Sequence, residues 1–185
     1  MRAQRNPDQT RARLLHAAVE AMQRSGPASL TLDQVARQAG VSKGGLLHHF
    51  PSKEALFEAL VRRLFDEFAA AVEARLAQEP PGPGRLLRAY IHANLDDAQE
   101  LSLEFAAPLL AAMVDQPALA ALIRDDARAW QARLADDGLP AARAAVIRMA
   151  ADSYWADRLL GVAPQGEALA EVRDELVALT RMEQS

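Results

Sequence analysis

Between residues 42 and 53 the chain collects side chains suited to recognition chemistry. Ser42 carries a hydroxyl, Lys43 an ammonium, and His48 and His49 imidazoles; Lys53 adds a second ammonium just past Pro51. Gly44 and Gly45 sit among them. Lacking side chains, they let a backbone come close to another surface. Two adjacent glycines near a helix start cost about 1 kcal/mol each against alanine. Close approach to a groove is a reason to keep them. Donors grouped at a helix N-terminus, where the dipole and free N–H groups favour anions, are equipped for phosphate and base edges. Upstream, Thr31 offers a hydroxyl and an adjacent N–H for a further phosphate.

Other chemistries find little support. His48 and His49 diverge by about 100° on a helix, and no further ligand follows at metal spacing, so no metal is expected. There is no Gly-x-Ser-x-Gly elbow, phosphate loop, His-Glu-x-x-His or dinucleotide fingerprint. The carboxylates read as solvated helix faces. The reading is therefore not an enzyme and has no cofactor. Cysteine is absent, which excludes disulfides and thiolate metal sites and fits a reducing cytoplasm. No apolar run approaches the roughly 20 residues of a membrane helix. Met1 to Thr10 is polar and basic, unlike a signal peptide. A cytoplasmic protein with no membrane partner is expected.

The formal net charge of −4 hides a division. Met1 to Arg63 holds ten Lys/Arg and five Asp/Glu, net +5; the remainder holds eleven and twenty, net −9. A basic head on an acidic body implies that the head alone meets a polyanion. Arg2, Arg5 and Arg11 fit either a solvated tail or an arm along the DNA.

The positioning elements are helices throughout. Alternating β-branched runs do not occur, and the apolar residues between Pro/Gly marks follow a helical period. The spacing predicts a first helix over Asp8 to Arg24, with Leu15, Ala18, Val19 and Met22 inward. A second holds Leu32, Val35, Ala36 and Ala39 on one face, opened by a Thr31–Gln34 capping box and closed by Gly40. A third starts at Ser42, stapled by Val41 and Leu46, with Leu46 and Phe50 as core, and stops before Pro51. Ser52 caps a fourth, whose apolar stripe runs from Leu56 to Val72 and on to about Gln78. Past the break from Pro80 to Gly84 come Arg85 to Asp97, Glu100 to Val114, Pro117 to Asp136, Pro140 to Leu160 and Glu167 to Met182. The expected fold is all-α with about nine helices. Residues 1–52 form a helix-turn-helix head, 53–79 a connecting helix, and 85–185 a ligand-binding and dimerisation domain.

Leu32 to Phe50, turning at Gly40-Val41-Ser42, is helix, three-residue turn, helix, the unit whose second helix enters the DNA major groove. The run from Thr31 to Leu56, with Ala39-Gly40-Val41-Ser42-Lys43-Gly44 followed by Phe50-Pro51-Ser52-Lys53-Glu54-Ala55-Leu56, resembles the DNA-binding domain of the tetracycline-repressor (TetR) family. The likeness extends from about Thr10 to Leu60. It implies a homodimer that binds a palindromic double-stranded DNA operator and releases it when a small molecule enters the C-terminal domain. Gly45 stands where the family usually has threonine, serine or alanine, and Leu47 where it usually has tyrosine. Both family residues tend to touch DNA, so contacts here shift toward Lys43, His48 and the backbone.

In the body, Tyr90, Asn94, Met113, Trp130, Tyr154 and Trp155 are candidates to line an effector pocket, ordinary core being the alternative. Arg148 and Asp152, four apart, fit an intrahelical pair. The family usually dimerises through its last two helices, which makes Arg148, Trp155, Leu169, Val172, Leu176 and Leu179 interface candidates. His16 and His92 suggest no role. The reading is a ligand-released repressor. The alternatives are an activator, a regulator without an inducer, or a helical adaptor that binds no DNA.

Overall fold

The computed structural model describes residues 7–96 and 116–181. Among them are eight α-helices and no strand: α1 (Pro7–Ser29), α2 (Leu32–Gln38), α3 (Lys43–His49), α4 (Lys53–Leu76), α5 (Arg85–Leu95), α6 (Pro117–Ala135), α7 (Ala141–Leu160) and α8 (Gly166–Leu179). The helix expected over Glu100 to Val114 lies outside the described residues, as do Arg2 and Arg5. The chain divides into two compact units: a head, with described residues 7–64 and 116–123, and a body, with 65–96 and 124–181.

The head's core is the apolar stripe of each short helix turned inward. Leu14, Leu15, Ala18 and Met22 of α1, Val35 and Ala36 of α2, Leu46 and Phe50 at α3, and Leu56, Phe57 and Leu60 of α4 are all buried. Seven-residue helices such as α2 and α3 are too short to persist alone, so this burial holds them. Their ends are satisfied locally. Thr31 N–H donates to Gln34 Oε1 at 2.9 Å while Gln34 N–H donates to Thr31 Oγ1 at 3.3 Å, the reciprocal capping box. At the other end Gly40 takes φ +63°. Its N–H donates to the Arg37 carbonyl at 3.1 Å, and Val41 N–H to the Ala36 carbonyl at 3.0 Å. That pair of bonds is a Schellman stop. α1 departs from expectation only at its tail: Gly26, at φ +77° and ψ 157°, breaks it, and one further turn leads to Ser29.

In the body, α5 is buried along almost its whole length and packs chiefly on α7 and α8. Leu87, Ile91 and Leu95 meet Ile147 and Ala151 of α7 and Leu169 and Leu176 of α8. The start of α5 is unusual. Gly84, the N-cap, is left-handed and brings no side chain. The Asp137 carboxylate, fifty residues away, accepts instead from the Leu86 and Leu87 N–H groups at 2.9 and 2.7 Å. A side chain at Gly84 would press to about 3 Å on Thr180 and Leu139, which is why the Pro-Gly run ends in glycine. Arg88 is buried beside it, donating to Glu79 Oε2 at 2.8 Å and to the Pro83 carbonyl at 2.9 Å. No helix of the described residues is long and apolar enough to cross a membrane.

Candidate nucleic-acid interface

α3 divides its surface sharply. Leu46 is fully buried and fixes the helix to the head. Ser42, Lys43, Gly44, Leu47 and His48 are exposed, and Gly45 and His49 are half-buried. Leu47 is 38% exposed. Ser42 caps the leading end: its Oγ accepts from the Gly45 N–H at 3.1 Å. The N-terminal end of α3, Ser42 to Gly44, therefore faces solvent.

The two glycines differ. A methyl at Gly44 would meet nothing within 4 Å, so the space above it is open. A methyl at Gly45 would stand 3.2 Å from Ser42 Oγ and crowd the cap. Gly44 thus leaves room for an outside surface, and Gly45 makes room for the cap hydroxyl.

Both lysines have partners within the head. Lys43 Nζ lies 3.1 Å from Asp33 Oδ2, across the turn on α2. Lys53 Nζ donates to the Ala28 carbonyl at 3.1 Å and stands 5.5 Å from the centre of the Phe57 ring. That carbonyl answers the mismatch of a cation in the first turn of α4. Nearby, Glu54 has its carboxyl held below the usual range by the backbone N–H at the start of α4 and by Ser52. Thr31 is exposed, its N–H and hydroxyl both engaged with Gln34. The Arg11 guanidinium lies 5.4 Å from the centre of the Phe50 ring. His48 and His49 meet edge to face at 5.6 Å. Among the described residues no cluster of His, Asp and Glu could hold a metal ion.

Sequence reasoning missed how α1 grips α2. Arg13 donates to the Ala39 carbonyl, Arg24 to the Gln38 amide oxygen, and Gln38 to the Glu20 carboxylate. His16 stands 3.5 Å from Glu20. Arg13, Glu20 and Arg24 are seven and four residues apart, which places them on one stripe of α1. That stripe was the available signal. These contacts hold the carbonyl end of α2 at the turn, and so set where α3 emerges.

Residues 14–60 match the family described as bacterial regulatory proteins, tetR family, and residues 84–181 the one described as tetracyclin repressor-like, C-terminal domain. The chain belongs to the tetracycline-repressor family. Over 90 residues it is 39% identical to the HTH-type transcriptional regulator BetI of Pseudomonas paraeruginosa, covering 48% of this chain and 46% of that protein. The chain thus spans about half the length of the curated relatives it matches. A TetR-family member from Streptomyces coelicolor A3 superposes with a TM-score of 0.72 at 23% identity, covering 92% of this chain and 98% of that one. The multidrug binding protein EbrR, complexed with imidazole, superposes at 0.70 with 24% identity, covering 97% and 94%. The all-helical TetR fold holds.

In this TetR-family body the expected pocket residues fall into two places. Tyr90, Trp130 and Phe68 form a mutual aromatic cluster, with ring centres 5.2 to 5.4 Å apart. The Tyr90 hydroxyl donates to Asp152 Oδ1 at 2.6 Å, Arg148 pairs with the same carboxylate, and Asn94 donates to the Tyr90 carbonyl at 3.0 Å. Burial, with the Asp152 charge beside it, pushes the Tyr90 phenol far above its ordinary range. Tyr154 instead lines a cavity of about 390 Å³ with Arg158, Gln165 and Leu169 at the turn between α7 and α8. Trp155 is half-buried on α7, and Met113 lies outside the described residues.

Of the expected interface residues, Leu169 and Leu176 pack into the body's own core, Leu179 is partly buried against it, and Val172 is exposed. His92 stands within 4.0 Å of both Glu79 and Asp96.

Proposed function

We propose that this chain is a DNA-binding repressor that works as a homodimer and lets go of its operator when a small molecule binds its helical body. One observation carries the DNA reading: the outer face of α3, from Ser42 to His48, is open to solvent at its capped leading end, while Leu46 and Phe50 tie its other side down. A helix presented that way is shaped for a major groove. Phosphate contacts fall to Thr31, Ser42, Lys53 and His49. Base-edge contacts fall to Lys43, His48 and the backbone at Gly44 and Gly45, with Leu47 offering its apolar surface to a thymine methyl.

The dimer reading rests on α7. Ala144, Ile147, Ala151 and Tyr154 form its buried seam. A second seam at the same three-and-four spacing, Val146, Met149, Ser153, Ala156 and Leu160, is exposed along its whole length. Val146, Met149 and Leu160 are 63%, 62% and 75% exposed, an apolar surface of the kind that marks an interface. Val172 on α8 and Val162 between the two helices are exposed as well. A second copy of the chain covers this surface, setting two recognition helices about one DNA turn apart, roughly 34–36 Å.

The effector reading draws on the aromatic and polar cluster of the body and on the cavity lined by Tyr154. EbrR, named for multidrug binding, shares the fold. α4 supplies Leu56, Phe57 and Leu60 to the core of the head and Val72 to that of the body, so a ligand that favours one arrangement of α4 would alter DNA affinity through differential binding.

Gel retardation with the DNA upstream of the chain's own gene tests the function. Specific retardation, competed by the same duplex and not by a random one, is the expected result. No retardation even at low salt would leave a helical adaptor as the better reading.

A further inference from the structure

Glu20 and Glu54 are more than thirty residues apart, and Asp33 is the single carboxylate between them, in a stretch that carries Arg24, Arg37, Lys43 and Lys53. That one negative charge is set directly against the ammonium at the leading end of α3, Oδ2 to Nζ at 3.1 Å, with both side chains more than half exposed. The start of α2 does not need it, because Thr31 and Gln34 cap that end between them. Nor does the core, since the side chain points to solvent.

Resting on the DNA-binding reading above, we infer that Asp33 is a specificity-determining residue that positions Lys43, tethering its ammonium at a base edge. A lysine head is a compact charge on a flexible four-carbon stem and goes to the nearest phosphate unless something holds it. An ammonium has three donors, so Asp33 can keep one while two remain for guanine O6 and N7. The carboxylate also repels the flanking phosphates. On a random duplex the pair carries no net charge and adds little to counterion release. On the right sequence the base edge accepts from a lysine already in place. Asp33 thereby lowers affinity for DNA in general and raises discrimination.

The test uses the full chain. An operator duplex is selected by the wild-type protein from a random pool, and affinities for it and for an unselected duplex are measured across a salt series. Asp33→Asn is expected to tighten binding to the unselected duplex, to steepen its log–log salt slope by about 0.9, and to cut the operator-to-random ratio about tenfold. The preference it loses is at the same base pair that Lys43→Ala loses, and the double variant discriminates no worse than Lys43→Ala alone. Glu54→Gln, which removes a charge elsewhere on the head, is the control and leaves the ratio as it was. Equal effects of Asp33→Asn and Glu54→Gln, or an undiminished effect of Asp33→Asn in the Lys43→Ala background, would reduce Asp33 to bulk charge and overturn the proposal. A wild-type chain that selects no duplex at all would bring down the DNA reading itself.

Discussion

Two residues of the head separate folding from recognition. Gly44 has open space above it, so Gly44→Ala fits without strain and gains up to about 1 kcal/mol of helix propensity. If the backbone there seats against DNA, the same methyl obstructs it. The variant is expected to melt at a higher temperature and to bind operator more weakly, which thermal melts and anisotropy titrations would show. Higher melting with unchanged affinity would remove close approach as the reason for the glycine. Lys53 is a different case. It bonds one backbone carbonyl at a half-exposed site, so its loss costs little fold stability. Lys53→Ala is expected to weaken binding to all duplexes alike and to lower the salt slope by about 1. A change of sequence preference instead would mean that Lys53 reads bases. At this scale the exposed recognition face was legible in sequence, because each of its residues belongs to one short helix whose inward stripe is plain. The partners of those residues were not. Asp33 meets Lys43, Arg13 meets Ala39 and Lys53 meets Ala28 only once separate helices have packed, ten to twenty-six residues apart in sequence.

Helices announced themselves by their punctuation. The Thr31–Gln34 box, the Gly40 stop and the Ser42 and Ser52 caps all stand where their residue types predicted, because capping is settled within a few residues. α5 shows where local reading ends. Nothing near Gly84 in sequence can cap this helix, and its cap comes from Asp137 beyond the end of α6. Removing that carboxylate leaves two N–H groups at the start of a buried helix without partners. Asp137→Ala is therefore expected to destabilise the body by about 1–2 kcal/mol, measurable in urea unfolding. Asp137→Asn, which keeps an acceptor oxygen, should recover part of the loss. Equal losses for the two would show that charge at the N-terminus of α5, rather than hydrogen bonding, is what Asp137 provides.

At the scale of the whole molecule, the charge division of the sequence and its assembly belong to the same account. Residues 1–63, net +5, are attracted to any duplex, and the remaining residues, net −9, are repelled by one, so on the DNA-binding reading contact would fall to the N-terminal stretch whatever the sequence of the DNA. One seven-residue recognition helix reads too few bases for a specific site, and a palindrome read twice requires two copies. On the homodimer reading, the exposed seam of α7 is the surface a second copy would cover. Placing a carboxylate at Met149, in the middle of that seam, opposes burial there while leaving the inward seam of Ala144, Ile147 and Tyr154 untouched. Met149→Glu is expected to give a folded monomer by sedimentation, with helical content unchanged. Its affinity for a full operator should fall to near that of a random duplex, and its affinity for a random duplex should fall less, by the phosphate contacts of the lost second head. The two losses go together because charge alone brings a single head to DNA, and only the pair converts two short readings into one long one. A Met149→Glu chain that still sediments as a dimer would move the interface off this face. A monomer that keeps full operator affinity would show that one head reads its site unaided.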